Sequence, residues 1–200
     1  MTLDELEELH YITPIENMKL ITEQGILSHV NARRVKHKSV AMYEIQDRRK
    51  KVVVPNGRPL HQYVNLYFHA RNPMMYKRRT MHKELCVIRI NTAVLNLAGV
   101  VITDGNASSD YVRFLSSPVG LQMIDREYVF AHSWYHDDPI EKFRHASAKC
   151  AEVLVPERVT TDFIIGAYVS CEESKAQLYD IIEGINRDFS VTINSDLFFQ

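Results

Sequence analysis

The chain has 200 residues, 46% of them hydrophobic, and a formal net charge of -1. This length can bury a real core and most simply forms one domain over residues 1–200. No apolar run approaches the roughly 18 residues that span a bilayer, and residues 1–5 are acidic where a secretory signal is basic, so we expect a soluble, cytoplasmic monomer without a membrane partner.

The chain opens with a predicted strand and a predicted helix. Leu9 to Thr13 has the alternating character of a short strand, and Ile15 to Gln24 places its apolar residues at near-helical spacing. Gly25 follows at a position where helices commonly end on glycine.

A long and weakly periodic segment follows from Val30 to Leu60. It contains the turn signature Pro55-Asn56-Gly57, and one helix is predicted near Ala41 to Arg49. Segments of this length with little regular structure are usually functional or disordered.

The same part of the chain is strongly basic. Between His29 and Lys83 there are fourteen Lys or Arg residues against only Glu44 and Asp47, so the remainder of the chain is acidic. A local excess of this size attracts polyanions whatever the average charge of the molecule. The segment therefore predicts a surface that binds nucleic acid.

A strand-to-helix junction lies inside this basic segment. Tyr63 to Ala70 is rich in aromatic and β-branched residues and predicts a buried strand. Asn72 can cap a helix whose first position is Pro73. Arg71 therefore lies at the junction, shortly before the basic run Lys77-Arg78-Arg79.

The rest of the chain mixes short strands with helices. Further strands are predicted at Leu85–Ile90, Val100–Thr103, Cys150–Val155, Phe163–Ser170 and Ser190–Ile193. Where apolar residues recur at intervals of three and four, helices are predicted within Gly120–Phe130, Pro139–Ala148 and Glu172–Asn186. The mixture predicts an α+β fold.

Neither a metal site nor a disulfide is predicted. Cys86, Cys150 and Cys171 are widely spaced, without a Cys-x-x-Cys pair, and we expect buried thiols. The nine histidines are scattered, without the paired spacing that zinc sites favour. The glycine-rich GxGxxG and Walker phosphate loops are absent from the sequence.

Glu152 is the first candidate for chemistry. It lies in the apolar run Ala151 to Val155, where a buried carboxylate is uncommon without a partner or a purpose. Alternation along the strand could instead turn Glu152 toward solvent as an ordinary surface residue. The pattern alone leaves both possibilities open.

Arg71 is the second candidate. Tyr67 and Phe68 precede it and could present an aromatic face, where a guanidinium could hold a phosphate or a nucleobase. The alternative is a structural arginine that pairs with a helix-cap carboxylate. The polar turn Asp104 to Ser109 is similarly suited either to binding a ligand or to reversing the chain.

Four blocks of sequence resemble one family in the right order. They are His10-Tyr11-Ile12-Thr13 with Asn17 and Gly25, Tyr67 to Tyr76, Asp104 to Ala107, and Ala151 to Val155. Together they resemble the DarT family of DNA ADP-ribosyltransferase toxins over nearly the whole chain. The second block, with Arg71-Asn72-Pro73-Met74, is the most specific.

This resemblance implies an ADP-ribosyltransferase-like fold in which a split, mixed β core forms a cleft for NAD. It implies NAD as co-substrate without a metal, and transfer of ADP-ribose to a base in single-stranded DNA. A cognate antitoxin, an ADP-ribosyl-DNA glycohydrolase, would reverse the modification. The family includes thymidine and guanosine modifiers, and the stretch Asn65 to Asn72 favours guanosine.

The resemblance also implies roles for individual residues. Glu152 matches the catalytic glutamate and Arg71 the active-site arginine. The basic excursion from His29 to Lys51 would fold over bound NAD. The expected NAD-binding residues are His10, Thr13, Asn17, Tyr67 and Arg71. The expected DNA-binding cations are Arg33, Arg34, Lys77, Arg78 and Arg79.

Chemistry independently favours a carboxylate at this place. Breaking the bond between nicotinamide and ribose makes an electron-poor sugar, whose positive charge a nearby carboxylate stabilises. Glu152 could also act as a general base toward the nucleobase, with Arg71 orienting that base.

Two other functions are compatible with the sequence. An NAD-dependent RNA 2'-phosphotransferase resembles the same fold and needs a basic groove, but the arginine and histidine pattern of its phosphate pocket is not evident. A non-catalytic nucleic-acid-binding module would place Glu152 on the solvent face and rely on the basic segment alone.

Overall fold

An eight-stranded sheet forms the centre of the molecule. The structure is a computed structural model that describes residues 1–184 and 189–200. The strands are β1 (Leu9–Pro14), β2 (Ile26–Leu27), β3 (Tyr63–Tyr67), β4 (Leu85–Ile90), β5 (Val101–Thr103), β6 (Phe114–Ser116), β7 (Glu152–Pro156), β8 (Arg158–Val159), β9 (Ile164–Val169) and β10 (Ser190–Ile193).

Short helices surround this sheet. The α-helices are α1 (Met18–Gln24), α2 (His29–Ala32), α3 (Tyr43–Lys50), α4 (Pro73–Lys77), α5 (Arg126–Phe130), α6 (Pro139–Ala148) and α7 (Glu172–Ile181). Short 3-10 helices lie at Ile15–Asn17, Leu60–Gln62, Arg79–Glu84, Thr92–Asn96, Val119–Met123, Thr161–Phe163 and Ser195–Leu197. The prediction of an α+β fold is confirmed. Of the helix predicted to reach residue 186, the part beyond residue 184 lies outside the described residues.

The sheet is mixed, and its strand order interleaves the two halves of the chain. The order is β10-β9-β4-β1-β3-β7-β5-β6, and β2 pairs with β8 in a separate two-stranded sheet. β10 runs parallel to β9, whereas the other neighbouring pairs are antiparallel. This order places β1, β3 and β7 side by side at the centre.

Local sequence explains where the first α-helix ends and where the fourth begins. Gly25 ends α1 with a φ of 79°, and its N–H donates to the Ile21 carbonyl at 2.8 Å. A side chain at Gly25 would approach the Val159 carbonyl oxygen to 2.2 Å, so both conformation and space require glycine. Asn72 caps α4 by accepting the N–H groups of Met74 and Met75, as predicted.

The two faces of the central strands differ. Leu66 and Val153 belong to one face and pack into the main apolar core. Their neighbours Tyr67 and Glu152 point to the opposite face, because successive side chains in a strand alternate. The main core therefore lies on one side of the sheet, and the other side carries a smaller apolar cluster, to which Tyr67 belongs, beside the polar side chains.

Some predicted elements differ from the structure at their ends. The strand predicted over Tyr63 to Ala70 ends at Tyr67, because the chain turns before the Asn72 cap. Cys86 and Cys150 are buried as expected, but Cys171 is partly exposed at the start of α7. Among the described helices, none has the length and apolar character that a membrane span requires.

Candidate active site

A row of polar side chains crosses the centre of the sheet. Tyr67 is paired with His10 on one side and with Glu152 on the other, and Glu152 is in turn paired with Thr103. Directly opposed residues on neighbouring strands share a face. The register therefore brings three of the sequence blocks together on the side of the sheet away from the main core.

Glu152 is fully buried, with an exposed fraction of 0%. Its two carboxylate oxygens accept hydrogen bonds from the Arg49 guanidinium at 2.9 and 3.0 Å. The backbone N–H of Ala107 donates to the same carboxylate at 3.2 Å. The alternative of a solvent-facing Glu152 is therefore wrong.

The polar turn after β5 forms hydrogen bonds that position this carboxylate. Thr103 Oγ1 donates to the Gly105 carbonyl at 2.8 Å and accepts the Glu152 N–H at 3.2 Å. A Cβ at Gly105 would lie 2.6 Å from Ser147 Oγ, so a larger residue in this turn would displace the Ser147 side chain. The turn thus positions the Ala107 N–H toward Glu152 and is more than a chain reversal.

Arg49 is the functional candidate that the sequence interpretation missed. It lies on α3 within Arg48-Arg49-Lys50, a run typical of a solvated surface, yet it is the one member that is buried. Burial alone would lower the pKa of Arg49, but the Glu152 carboxylate outweighs it and raises the pKa. A bidentate arginine–carboxylate pair is the strong form of this interaction.

Arg71 does not contact Glu152, which corrects the position expected for it. Its Nε donates to the His132 carbonyl at 3.1 Å, and its Nη1 donates to the carbonyls of Asp196 at 2.6 Å and Phe198 at 3.3 Å. These bonds turn the guanidinium toward the loop after α5 and the C-terminal segment. The arginine beside the carboxylate is Arg49, and the alternative of a cap carboxylate partner for Arg71 is not observed in the described residues either.

His10 is held within the protein on both ring nitrogens. Nδ1 accepts the Ala70 N–H at 2.9 Å, so the neutral ring carries its proton on Nε2 and donates to Glu8 at 3.0 Å. Glu8 also accepts from Arg89 at 2.6 Å. The ring nitrogens of His10 are therefore not free for NAD, and His10 does not line the cleft described next.

A cleft opens beside the row of polar side chains. Three residues that were predicted to bind NAD line this cleft, namely Thr13, Asn17 and Tyr67. Arg49, which was not predicted, lines it as well. Burial first, and then the charge of Glu152, raises the pKa of Tyr67 well above its usual value, so its hydroxyl remains a proton donor. Three of the five residues expected to bind NAD thus meet at one cleft.

The basic excursion closes one side of this cleft. Asn17 donates to the Lys38 carbonyl at 2.8 Å and accepts the Lys38 N–H at 2.9 Å. Arg78 Nε donates to the Val40 carbonyl at 2.8 Å. Residues 37–42 line the cleft, so these two side chains serve to hold the excursion over it.

Two polar atoms in the cleft wall lack a partner among the described residues. They are Gln46 Oε1 and His61 Nε2, both buried. Burial, followed by the nearby charge of His29, lowers the pKa of His61 to about 4, so its ring is neutral at pH 7. Buried polar groups are normally paired, and these atoms fit the wall of a cleft that receives a polar ligand such as a dinucleotide.

Comparisons with known proteins identify relatives of this chain. A family model described as "ssDNA thymidine ADP-ribosyltransferase, DarT" matches residues 10–199. This chain belongs to the DarT family. The resemblance inferred from the sequence blocks is therefore confirmed.

Named relatives of this DarT-family chain include both sequences and structures. A DNA ADP-ribosyl transferase-DNA ADP-ribosyl glycohydrolase fusion protein from Thermosipho africanus is 32% identical over 203 residues, covering 96% of this chain and 49% of the fusion protein. This chain thus spans about half the length of that relative. Thermus sp. 2.9 DarT in complex with ADP-ribosylated ssDNA gives a TM-score of 0.85 at 27% identity, covering 100% of this chain and 99% of that one. The same DarT in complex with NAD+ gives 0.81 at 26% identity, covering 98% of each chain.

The cations expected to bind DNA in this DarT-family chain have different surroundings. Arg33, Arg34, Lys77 and Arg79 are exposed, and Lys77 also lines the rim of the cleft. Arg78 instead holds the Val40 carbonyl. Within residues 1–184 and 189–200, no group of three or more His, Cys, Asp or Glu side chains is placed to hold a metal ion.

A buried lysine lies near Arg71 in the same DarT-family chain. Lys149 is 1% exposed, and its Nζ donates to the carbonyls of Val129 at 3.0 Å and Ala131 at 2.5 Å. Burial, followed by the charge of Arg71, lowers the pKa of Lys149 to about 8. Burial and the charge of Lys149 lower the pKa of His69 to about 3, so His69 Nδ1 can accept from this amine at 3.5 Å.

We expect the stability advantage of the wild type over Lys149→Met to grow as pH rises from about 8 toward about 10.5. In that window the folded protein has released the Lys149 proton while the unfolded chain keeps it, so raising the pH favours the folded state. The slope is at most about 1.4 kcal/mol per pH unit. Urea unfolding of both proteins at several pH values measures this difference, and a difference that is constant with pH would contradict the assignment.

Proposed function

We propose that this chain transfers ADP-ribose from NAD to a base of single-stranded DNA. One observation carries the proposal, namely a fully buried carboxylate, Glu152, that pairs with Arg49, a residue that lines the cleft. Membership of the DarT family supports the same activity. So do the structures of Thermus sp. 2.9 DarT with NAD+ and with ADP-ribosylated ssDNA.

The cleft residues divide between binding and chemistry. Thr13 and Tyr67 would contact NAD directly, and Gln46 and His61 offer unpaired polar atoms to it. Asn17 acts by holding the Lys38 backbone over the cleft. Bound NAD supplies the ADP-ribosyl group when the bond between its ribose and nicotinamide breaks and neutral nicotinamide leaves.

Glu152 would stabilise the transition state. Positive charge grows on the ribose as nicotinamide departs, and a fixed carboxylate in a water-poor site lowers the energy of that charge. The Ala107 N–H donates to the carboxylate at 3.2 Å and would keep it in one orientation. Such preorganised charge avoids the cost of rearranging water during the reaction.

Arg49 controls access to this carboxylate. It lines the cleft, whereas Glu152 is fully buried behind it. Contact between Glu152 and a bound ribose therefore requires the Arg49 side chain to shift. Arg49 lies on α3 within the basic excursion, whose position over the cleft depends on Asn17 and Arg78.

The acceptor would be a ring nitrogen that carries a proton. A new bond joins this nitrogen to the ribose carbon, and the proton leaves to Glu152 and then to water. The N–H beside a carbonyl oxygen is common to thymine and guanine. The family description names thymidine, whereas the stretch Asn65 to Asn72 favours guanosine. The experiment below determines which of the two bases is modified.

A partner that removes the modification follows from the same proposal. In the Thermosipho africanus relative, the transferase and a DNA ADP-ribosyl glycohydrolase form one fusion protein. We propose that a glycohydrolase of this kind acts as the antitoxin for the chain described here, and that both work in the cytoplasm.

The proposed function is tested by mass spectrometry of DNA. The protein is incubated with NAD and single-stranded oligonucleotides in which one thymidine or one guanosine stands among adenosines and cytidines. We expect a mass gain of one ADP-ribose on one of these two strands, and none without NAD. Unmodified strands of both kinds would overturn the proposal, and loss of a 2'-phosphate from a matched RNA would indicate the phosphotransferase instead.

A further inference from the structure

Three aromatic side chains cluster on the surface beside Arg71. Tyr76, Trp134 and Phe199 meet edge to face, with ring centroids 5.1 to 5.9 Å apart. Tyr76 is 44% exposed, and Trp134 and Phe199 are half-buried. We call these three residues the aromatic platform. Rings that remain accessible at a charged surface are available to stack on a partner.

Arg71 joins the segments that carry this platform. Its guanidinium lies 4.1 Å from the centroid of Phe199 and binds the carbonyl oxygens of Asp196 and Phe198. It also binds the carbonyl of His132, two residues before Trp134. Arg71 is therefore a positioning residue for the platform, which gives this motif arginine a role away from Glu152.

The platform carries positive charge and is continuous with the cleft. Arg79 lies 4.4 Å from the centroid of Tyr76, and Lys77 is exposed next to Tyr76. Neither cation forms a salt bridge with a carboxylate of the described residues. Lys77 lines the cleft from α4, the helix that also carries Tyr76, so one strand of nucleic acid could contact both surfaces.

Trp134 is half-buried and differs from the other two rings of the platform in what lies over it. It meets Tyr76 and Phe199 edge to face, whereas Arg71 and Arg79 lie over those two partners. Neither a guanidinium nor a parallel ring covers Trp134 among the described residues.

We propose that the aromatic platform binds bases of the single-stranded DNA substrate outside the cleft, with Trp134 as the main stacking surface. This inference rests on the proposed function and adds a second contact region to it. Aromatic stacking suits a single strand because every base has a π-face, and neighbouring cations attract its phosphates. The platform would hold the flanking strand while the acceptor base enters the cleft.

Fluorescence of the wild-type protein tests this directly, because Trp134 is the single tryptophan of the chain. Without NAD, a short single-stranded oligonucleotide should quench the emission in a saturable way. An abasic strand of equal length and charge should bind more weakly and quench little. Equal binding of both strands, or saturation without quenching, would overturn the proposal.

Two variants give an independent readout by fluorescence anisotropy of labelled DNA. Trp134→Ala should weaken binding of the base-bearing strand by at least about five-fold, with little effect on the abasic strand. Tyr76→Ala should have a smaller effect in the same direction. Tyr179→Ala is the matched control, since Tyr179 is the same residue type with the same 44% exposure and lies on α7.

The platform and the proposed function can fail separately. If Trp134→Ala binds both strands like the wild type while the wild type transfers ADP-ribose, only the platform is wrong. If the wild type leaves DNA unmodified in the mass assay, the proposed function is wrong whatever Trp134 does. Quenching by an extract of cellular proteins, but not by DNA, would show that the platform binds a protein partner. That result would overturn the DNA assignment.

Discussion

Glu152→Gln is expected to lower the rate of ADP-ribose transfer to single-stranded DNA by about 10²-fold to 10⁴-fold. The substitution keeps the size of the side chain and an oxygen for the Ala107 N–H, which donates at 3.2 Å in the structure. It removes the negative charge that would face the ribose. Transfer is followed as the fraction of oligonucleotide that gains the mass of one ADP-ribose with time.

Glu157→Gln is the matched control for this experiment. Glu157 follows the same strand, but its side chain is 43% exposed and pairs with Arg58 at the surface. Transfer by Glu157→Gln should equal that of the wild type. A wild-type rate for Glu152→Gln, in protein shown to be folded, would contradict the catalytic assignment of Glu152.

The second large effect concerns stability. Removing one member of a buried ion pair leaves the other as an uncompensated charge, which costs about 3–5 kcal/mol. Glu152→Leu would leave the buried Arg49 guanidinium without its carboxylate. Arg49→Met would leave the Ala107 N–H as the one donor to the Glu152 carboxylate among the described residues. We expect each single variant to unfold at clearly lower denaturant concentration than the wild type.

The double variant Arg49→Met with Glu152→Leu separates charge from packing. When both charges are replaced by apolar side chains of similar size, stability is often regained. We therefore expect the double variant to be more stable than either single variant, although inactive in transfer. The free energies of unfolding from urea titrations form a double-mutant cycle. Additive losses would show that the two side chains do not act as a pair.

The candidate catalytic carboxylate was visible in the sequence, but its partner was not. Glu152 stands out because an acid inside Ala151 to Val155 breaks an apolar pattern. Arg49 lies in a run of cations on a polar helix, where nothing local distinguishes the buried residue from its exposed neighbours. Pairing across 103 residues of chain depends on tertiary packing, which residue spacing does not encode.

For Arg71, the position in the chain was predictable from the sequence, but the contacts of its side chain were not. The sequence located it correctly between β3 and α4, but it could not give the direction of a long side chain at a turn. That direction is set by carbonyl oxygens near residues 132 and 196–198, which come from distant parts of the chain. The resemblance therefore assigned Arg71 to the active site, whereas in the structure its guanidinium binds these distant carbonyl oxygens and does not contact Glu152.

The basic segment has two uses that composition alone could not separate. Arg78 and Lys38 lie in the segment that predicts nucleic-acid binding, yet Arg78 binds a backbone carbonyl and Lys38 pairs with Glu16 and Glu84. Lys77 and Arg79, in contrast, are exposed and stay predicted DNA contacts. Net charge predicts attraction to a polyanion, whereas the contact of each cation depends on the fold.

We propose that the cleft bounded by Tyr67 and Arg49 places the ribose of NAD beside Glu152. A crystal structure of this chain with a non-cleavable NAD analogue tests it most directly. We predict that the Arg49 side chain shifts and that the anomeric carbon lies roughly 3–3.5 Å from a Glu152 oxygen, the separation of a reactive contact. An analogue bound in another part of the molecule, with the Arg49–Glu152 pair unchanged, would contradict the account.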